Sequence, residues 1–138
     1  MAWSGPYQGK RTIDGADWRP YQQETVVTPA FAEFTSGHST FSAASAEVLK
    51  RFTGSDAYGG TYTQPAGTSR FEPGAVPARD VTLAWATFSD AVDEAGVSRR
   101  YGGIHFAQAD LVGRSLGRLV GAQVWDKTRA SITGASAP

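Results

Sequence analysis

The chain of 138 residues contains only two histidines, His38 and His105. Each stands in a short segment whose other residues are suited to anions. The first segment is Thr35-Ser36-Gly37-His38-Ser39-Thr40, which opens a helical pattern. A helix N-terminus presents unpaired backbone N–H groups at the positive end of its dipole. Ser36 adds a hydroxyl, and Gly37 lets an anion come close to the backbone. His38 stands where it exchanges a proton with such an anion. The second segment is Ser98-Arg99-Arg100-Tyr101-Gly102-Gly103-Ile104-His105, which places the histidines 67 residues apart. Arg99 offers a planar, bidentate fork for an oxyanion, and His105 offers a nucleophile or a ligand to its central atom. Together these are the parts for phosphoryl transfer without a divalent metal. The plainer reading is a capping serine, a satisfied polar histidine and a solvated Arg99–Arg100 pair. The coincidence of both histidines with anion-binding neighbours weighs against it.

These residues need helices to hold them. From Ser36 to Phe52, the residues Phe41, Ala44, Val48, Leu49 and Phe52 fall on one helical face. Ser36 or Ser39 can cap that helix and Gly54 can end it. Residues 55–78 are rich in Gly, Pro, Thr and Ser, and read as a short β-hairpin or a long ordered loop. The pattern predicts a second helix over Asp80–Ala95, with Asp80 as its cap. It predicts a third from about Phe106 or Gln108 to Trp125, with Leu111, Val112, Leu116, Leu119, Val120 and Val124 facing the core. Gly113, Gly117 and Gly121 recur on one face of this third helix. Each glycine costs about 1 kcal/mol in a helix interior, so the stripe predicts a closely crossing helix. The expected organisation is an irregular N-terminal arm over 1–35, a helical region over 36–130 and a fraying tail over 131–138. In the arm, Trp3, Tyr7, Trp18, Tyr21, Phe31 and Phe34 are the candidate anchors. The fold class is all-α, mostly, and the inventory suits part of a larger bundle.

Composition narrows the function. Thirteen basic and thirteen acidic residues balance, and the sequence pI is about 6.7. This argues against nucleic acid as a partner and against a polybasic membrane-surface module. Without cysteine there is no disulfide framework, thiolate metal site or cysteine nucleophile. No apolar run approaches the ~20 residues of a spanning helix, so no membrane is expected. The N-terminus Met1-Ala2-Trp3-Ser4-Gly5-Pro6 lacks the order of a signal peptide and reads as the interior of a longer protein. A leader upstream would make the protein extracytoplasmic, and the compartment stays open.

The segment Phe31-Ala32-Glu33-Phe34-Thr35-Ser36-Gly37-His38-Ser39-Thr40-Phe41-Ser42 resembles the second signature of the type 2 phosphatidic acid phosphatase (PAP2) superfamily. It is most similar to the vanadium-dependent haloperoxidase branch. Ser98-Arg99 followed by His105 resembles the third signature, and Tyr101-Gly102-Gly103-Ile104 with Phe106 looks typical of soluble haloperoxidase-like members. The resemblance runs from the N-terminal arm to Trp125. It implies the C-terminal part of a helical bundle, with a short β-hairpin or long loop between its first two helices. It implies vanadate as cofactor, with phosphate as its analogue, and hydrogen peroxide with a halide as reactants. His105 would hold the vanadium or, in a phosphatase, attack phosphorus. His38 would be the acid–base group. Arg99, the Ser36 hydroxyl and the Gly37 N–H would bind the equatorial oxygens.

Three departures from the family pattern stand out. The first signature is a lysine, six residues, then Arg-Pro. Arg19-Pro20 is present, but Thr12 stands at the lysine position, which leaves Lys10 or Arg11 to substitute. The acid that usually follows the third-signature histidine by four positions is replaced by Ala109, which leaves Asp110 as the candidate to orient His105. Helices that precede the first signature in the family are not in this sequence. Three readings follow: a haloperoxidase, a metal-free acid phosphatase working through a phosphohistidine and taking a phosphoester, or a non-catalytic fragment or interaction module. In the last, the glycine stripe packs on a partner or a second copy, making a homo-oligomer. In the others, missing N-terminal helices cover the domain.

Overall fold

A computed structural model describes residues 1–25 and 32–134. It contains three helices, α1 (Gly37–Thr53), α2 (Phe88–Tyr101) and α3 (Ala107–Thr133). Four short strands accompany them, β1 (Ala2–Trp3), β2 (Lys10–Arg11), β3 (Ala57–Gln64) and β4 (Val81–Thr87), with one 3-10 turn at Gly15–Asp17. β1 pairs antiparallel with β2 in the register Ala2–Arg11, and β3 pairs with β4. The chain is mostly helical, and a two-stranded sheet stands in the expected place between α1 and α2. It divides into two compact units, Met1–Thr28 with Thr61–Ala84, and Pro29–Gly60 with Trp85–Pro138.

The first unit is organised by aromatic residues on Glu72. The Trp3 indole donates to Glu72 Oε1 at 3.0 Å and the Tyr21 hydroxyl to Oε2 at 2.6 Å. Tyr21 also meets the Phe71 ring at 5.1 Å between centroids. Burial, together with the negative charge of Glu72, pushes the Tyr21 hydroxyl up to about 12. Tyr7 donates to the Ala75 carbonyl at 2.8 Å. Trp3, Tyr7 and Tyr21 are thus anchored within their unit, whereas the anchor expected at Phe31 lies outside the described residues.

The second unit carries the helices. α1 begins at the Ser36 cap and ends at Gly54, whose φ of 71° is the left-handed cap that glycine favours. The second helix starts later than its apolar pattern predicts. Residues 81–87 form β4, with half-buried Leu83, Trp85 and Thr87 alternating with exposed neighbours. α2 starts at Thr87, where a capping box joins the Thr87 hydroxyl to the Asp90 N–H and the Asp90 carboxylate to the Thr87 N–H. Asp80 instead accepts from the Ala66 N–H at 2.8 Å. α3 continues past Trp125 to Thr133, so the first residues of the expected tail are helical, and 135–138 lie outside the described residues.

α3 crosses α1 through its glycine stripe, as the sequence predicts. A Cβ on Gly113 would lie 3.0 Å from the Ser36 carbonyl oxygen, and one on Gly121 would lie 2.5 Å from that of Ala44. A Cβ on Gly117 would press on the Thr40 carbonyl and lie 2.8 Å from Ala43 Cβ. The stripe is therefore filled by α1 of the same chain rather than kept for a partner. The core is made of small residues, Ala43, Ala46 and Val92, with Phe88 packed beside them. The larger apolar residues expected to face it do not. Phe41, Leu49 and Phe52 on α1, and Leu111, Leu116, Leu119, Val120 and Val124 on α3, are exposed. Backbone-to-backbone approach admits only small side chains between the helices, so the bulky stripes turn away. Among the described residues, no helix is long and apolar enough to cross a membrane.

Candidate active site

The N-terminus of α1 is held against the first turns of α3. The Ser36 N–H donates to the Ala109 carbonyl at 3.1 Å, and Ser36, Ser39 and Ala109 are fully buried. Ser36 caps its own helix through its side chain, and its carbonyl takes the first regular intrahelical bond. Its hydroxyl oxygen accepts from the Ser39 N–H at 3.3 Å, and its carbonyl accepts from the Thr40 N–H at 3.0 Å. An α-helix begins with four unpaired N–H groups. Here these are the N–H groups of Ser36, Gly37, His38 and Ser39; those of Ser36 and Ser39 are paired, and those of Gly37 and His38 are left over among the described residues. A Cβ on Gly37 would meet nothing within 4 Å, so the space beside the Gly37 Cα is open among the described residues.

The Ser36 hydroxyl itself is turned inward. Ser39 Oγ lies 2.9 Å from Ser36 Oγ and 2.8 Å from Asp110 Oδ1. Burial acts to raise the Asp110 carboxyl, but hydrogen bonds from Arg114 and Ser39 and the charges of Arg114 and Arg100 outweigh it and hold it below the usual range. An ionised carboxylate only accepts, so the single Ser39 proton goes to Asp110, and the proton between the serines comes from Ser36. Donation thus runs from Ser36 through Ser39 to Asp110, away from the open space.

Asp110 is not placed on His105. Its carboxylate is taken by Ser39 and by Arg114, whose Nε donates at 2.7 Å. Arg114 in turn reaches Asp93 at 2.7 Å. α2 lies close over this pair because residue 96 is glycine; a Cβ there would press on Asp110 Oδ1 and lie 2.7 Å from Arg114 Nε. Asp110 therefore joins α1, α2 and α3.

The carboxylate that does meet His105 is Glu33. Its Oε1 lies 3.3 Å from His105 Nδ1 and accepts from the Phe106 N–H at 2.8 Å. The His105 side chain is only 6% exposed. The turn before it folds back on α2, with Gly103 at a φ of 70° and the Ile104 N–H donating to the Arg99 carbonyl at 3.2 Å. Glycine is needed at 103 for that left-handed step. Arg99 and His105 are thus tied together locally. Arg99 Nε is buried and has no hydrogen-bond partner among the described residues. Burial lowers the Arg99 guanidinium. His38 is exposed, and it is lowered from its usual value by partial desolvation and by the charges of Arg99 and His105. The structure therefore brings Ser36, Gly37, His38, Arg99 and His105 into one cluster and adds Glu33. Sequence reasoning assigned Glu33 no role; its place three residues before the Ser36 cap was the available signal.

Lys10 and Arg19 belong to the other compact unit. Lys10 is exposed on β2 opposite Trp3, and Arg19 is exposed, with Nη1 donating to the carbonyls of Ala16 and Trp18 at 3.1 and 2.8 Å.

A helix N-terminus with two spare amides thus stands beside two histidines and the half-buried Arg99, whose Nε has no partner among the described residues. Residues 1–134 match the family of the VCPO second helical-bundle domain, and the chain belongs to that family. Among solved structures it is similar to a holo-type bacterial vanadium-dependent chloroperoxidase, with a TM-score of 0.84 and 26% identity over 96% of this chain and 27% of that one. The apo-type structure gives the same score and identity over 28% of its length. A bacterial vanadium-dependent iodoperoxidase is 34% identical over 78% of this chain and 22% of its own, with a TM-score of 0.54. The chain spans little more than a quarter of the length of the chloroperoxidases it resembles. No curated protein matches it.

Proposed function

We propose that this chain carries the vanadate-binding, C-terminal part of a vanadium-dependent haloperoxidase, which oxidises a halide with hydrogen peroxide. The observation that carries this reading is Arg99 Nε, a buried donor without a partner, beside both histidines. A buried donor costs about 1–3 kcal/mol when unsatisfied, and an oxyanion relieves that cost. The donor set fits vanadate. Glu33 occupies Nδ1 of His105, which leaves Nε2 to hold the central atom. Arg99 and the Gly37 and His38 amides offer N–H groups to its oxygens. His38, lowered from its usual value, is neutral at pH 7 and accepts a proton at a ring nitrogen. Bound vanadate supplies Lewis-acid activation of hydrogen peroxide. The chain's own work is to orient that group, to neutralise its charge and to move a proton at His38. The Ser36 hydroxyl joins the donors only if its proton swings away from Ser39, so we assign the greater share to the amides.

Titration of the 138-residue chain with vanadate tests the reading. One vanadate per chain is expected, with binding lost in His105→Ala. Halogenation of an indicator phenol with vanadate, peroxide and bromide then tests turnover. Absence of vanadate binding by the wild-type chain overturns the proposal. Hydrolysis of a phosphomonoester, inhibited by vanadate and without halogenation, selects a phosphatase instead.

A further inference from the structure

We infer that Glu33 is a positioning residue that fixes the His105 tautomer and keeps Nε2 free for an oxyanion's central atom. The inference rests on the reading of His105 as the ligand, and it explains why Ala109 is tolerated where the family pattern has an acid. Ala109 is fully buried, with its carbonyl accepting from the Ser36 N–H. A carboxylate in its place would enter the small-residue contact between α1 and α3. Asp110, the next acid, is committed to Arg114 and Ser39. Among the described residues, Glu33 is the carboxylate that remains for the ring.

Its geometry suits the task. One oxygen, Oε1, serves both His105 Nδ1 and the Phe106 N–H. Phe106 is the cap residue of α3 and brings no side-chain cap of its own. The carboxylate thus locks the ring to the start of the helix that follows it. Glu33 also lies just ahead of α1, and negative charge is favoured at both helix N-termini. An acceptor-only carboxylate opposite Nδ1 requires the ring proton there, which leaves the Nε2 lone pair outward. Carboxylates that hold a ligating histidine in this way are worth about 10–100-fold in affinity.

Two measurements test this. Nitrogen-15 NMR of the imidazoles in the wild-type chain, without any ligand, is expected to show His105 as the Nδ1–H tautomer. In Glu33→Ala that preference is lost, and the dissociation constant for vanadate, and for phosphate as its analogue, rises about 10–100-fold. Glu33→Gln keeps an oxygen for the Phe106 N–H and so preserves the helix start if the alanine variant fails to fold; a smaller change in the same direction is expected. An Nε2–H tautomer in the wild type, or a tautomer unchanged in both variants, overturns the inference whatever the ligand does. Failure of the wild type to bind vanadate, with the tautomer shift intact, overturns the functional reading alone.

Discussion

Substituting Gly117 by alanine sets two effects of known size against each other. In an isolated helix the change gains about 1 kcal/mol of propensity. Here the new Cβ presses on the Thr40 carbonyl and lies 2.8 Å from Ala43 Cβ and 3.0 Å from the Ala44 N. Carbon atoms rest at about 3.5–4.0 Å, so the helices must part by about 1 Å. Two of the three obstructing atoms are backbone and cannot rotate aside. Overpacking of this kind costs about 1–3 kcal/mol, and the upper end applies, which leaves a net loss of about 2 kcal/mol. That is a factor of about 30 in the folding equilibrium. Urea denaturation followed by far-UV circular dichroism measures it, with Gly113→Ala as the milder comparison, since its Cβ would find its nearest neighbours at 3.0 Å. Because α1 carries Gly37 and His38, the same parting is expected to weaken vanadate binding. A neutral or stabilised Gly117→Ala variant would refute the claim that backbone contact sets the α1–α3 distance.

Two further expectations concern charge. His38 in the free chain titrates below the ordinary histidine value of about 6.5, because of desolvation and of Arg99 and His105. The unfolded chain then takes the proton first, so the stability tied to His38 is present above about 6.5 and is lost as pH falls through the lower folded value. Bound phosphate reverses the local field and raises the His38 value, which a proton NMR titration reads directly. Removing the Asp110 carboxylate, as in Asp110→Ala, leaves the buried Arg114 with the exposed Asp93 as its carboxylate partner, and is expected to cost less in urea denaturation than the roughly 3–5 kcal/mol of a wholly uncompensated buried charge. In the wild type this contribution persists above about pH 3.9 and fades as pH falls through the depressed Asp110 value.

The start of α1, its glycine stop and the closeness of α3 were legible because each is a local demand. A serine caps, a left-handed residue ends a helix, and repeated glycines mean contact. The second helix was misplaced because Val81–Thr87 carries enough apolar residues to suit either period, while the Thr87–Asp90 capping box marks the true start. The bulky stripes were assigned to the core on the assumption that the largest apolar residues face inward. The glycines and Ala43 let the backbones meet instead, and that excludes Leu or Phe from the contact. At the site, the two segments with histidines announced themselves by residue type. Glu33 did not, because it meets His105 across 72 positions and only the folded chain brings them together. The inward turn of the Ser36 hydroxyl is likewise a property of three side chains, the α1 cap itself, Ser39 on α1 and Asp110 on α3.

The glycine stripe also behaves as a mechanical detent. Its repeat of four residues corresponds to about 6 Å of travel along the axis, and between those steps a side chain would have to pass through a carbonyl. Sliding of α3 along α1 between those steps is therefore expected to meet a steric barrier. The seated position brings Ala109 to Ser36 and Asp110 to Ser39. What indexes the His38 segment to the start of α3, next to His105, is thus main chain against main chain.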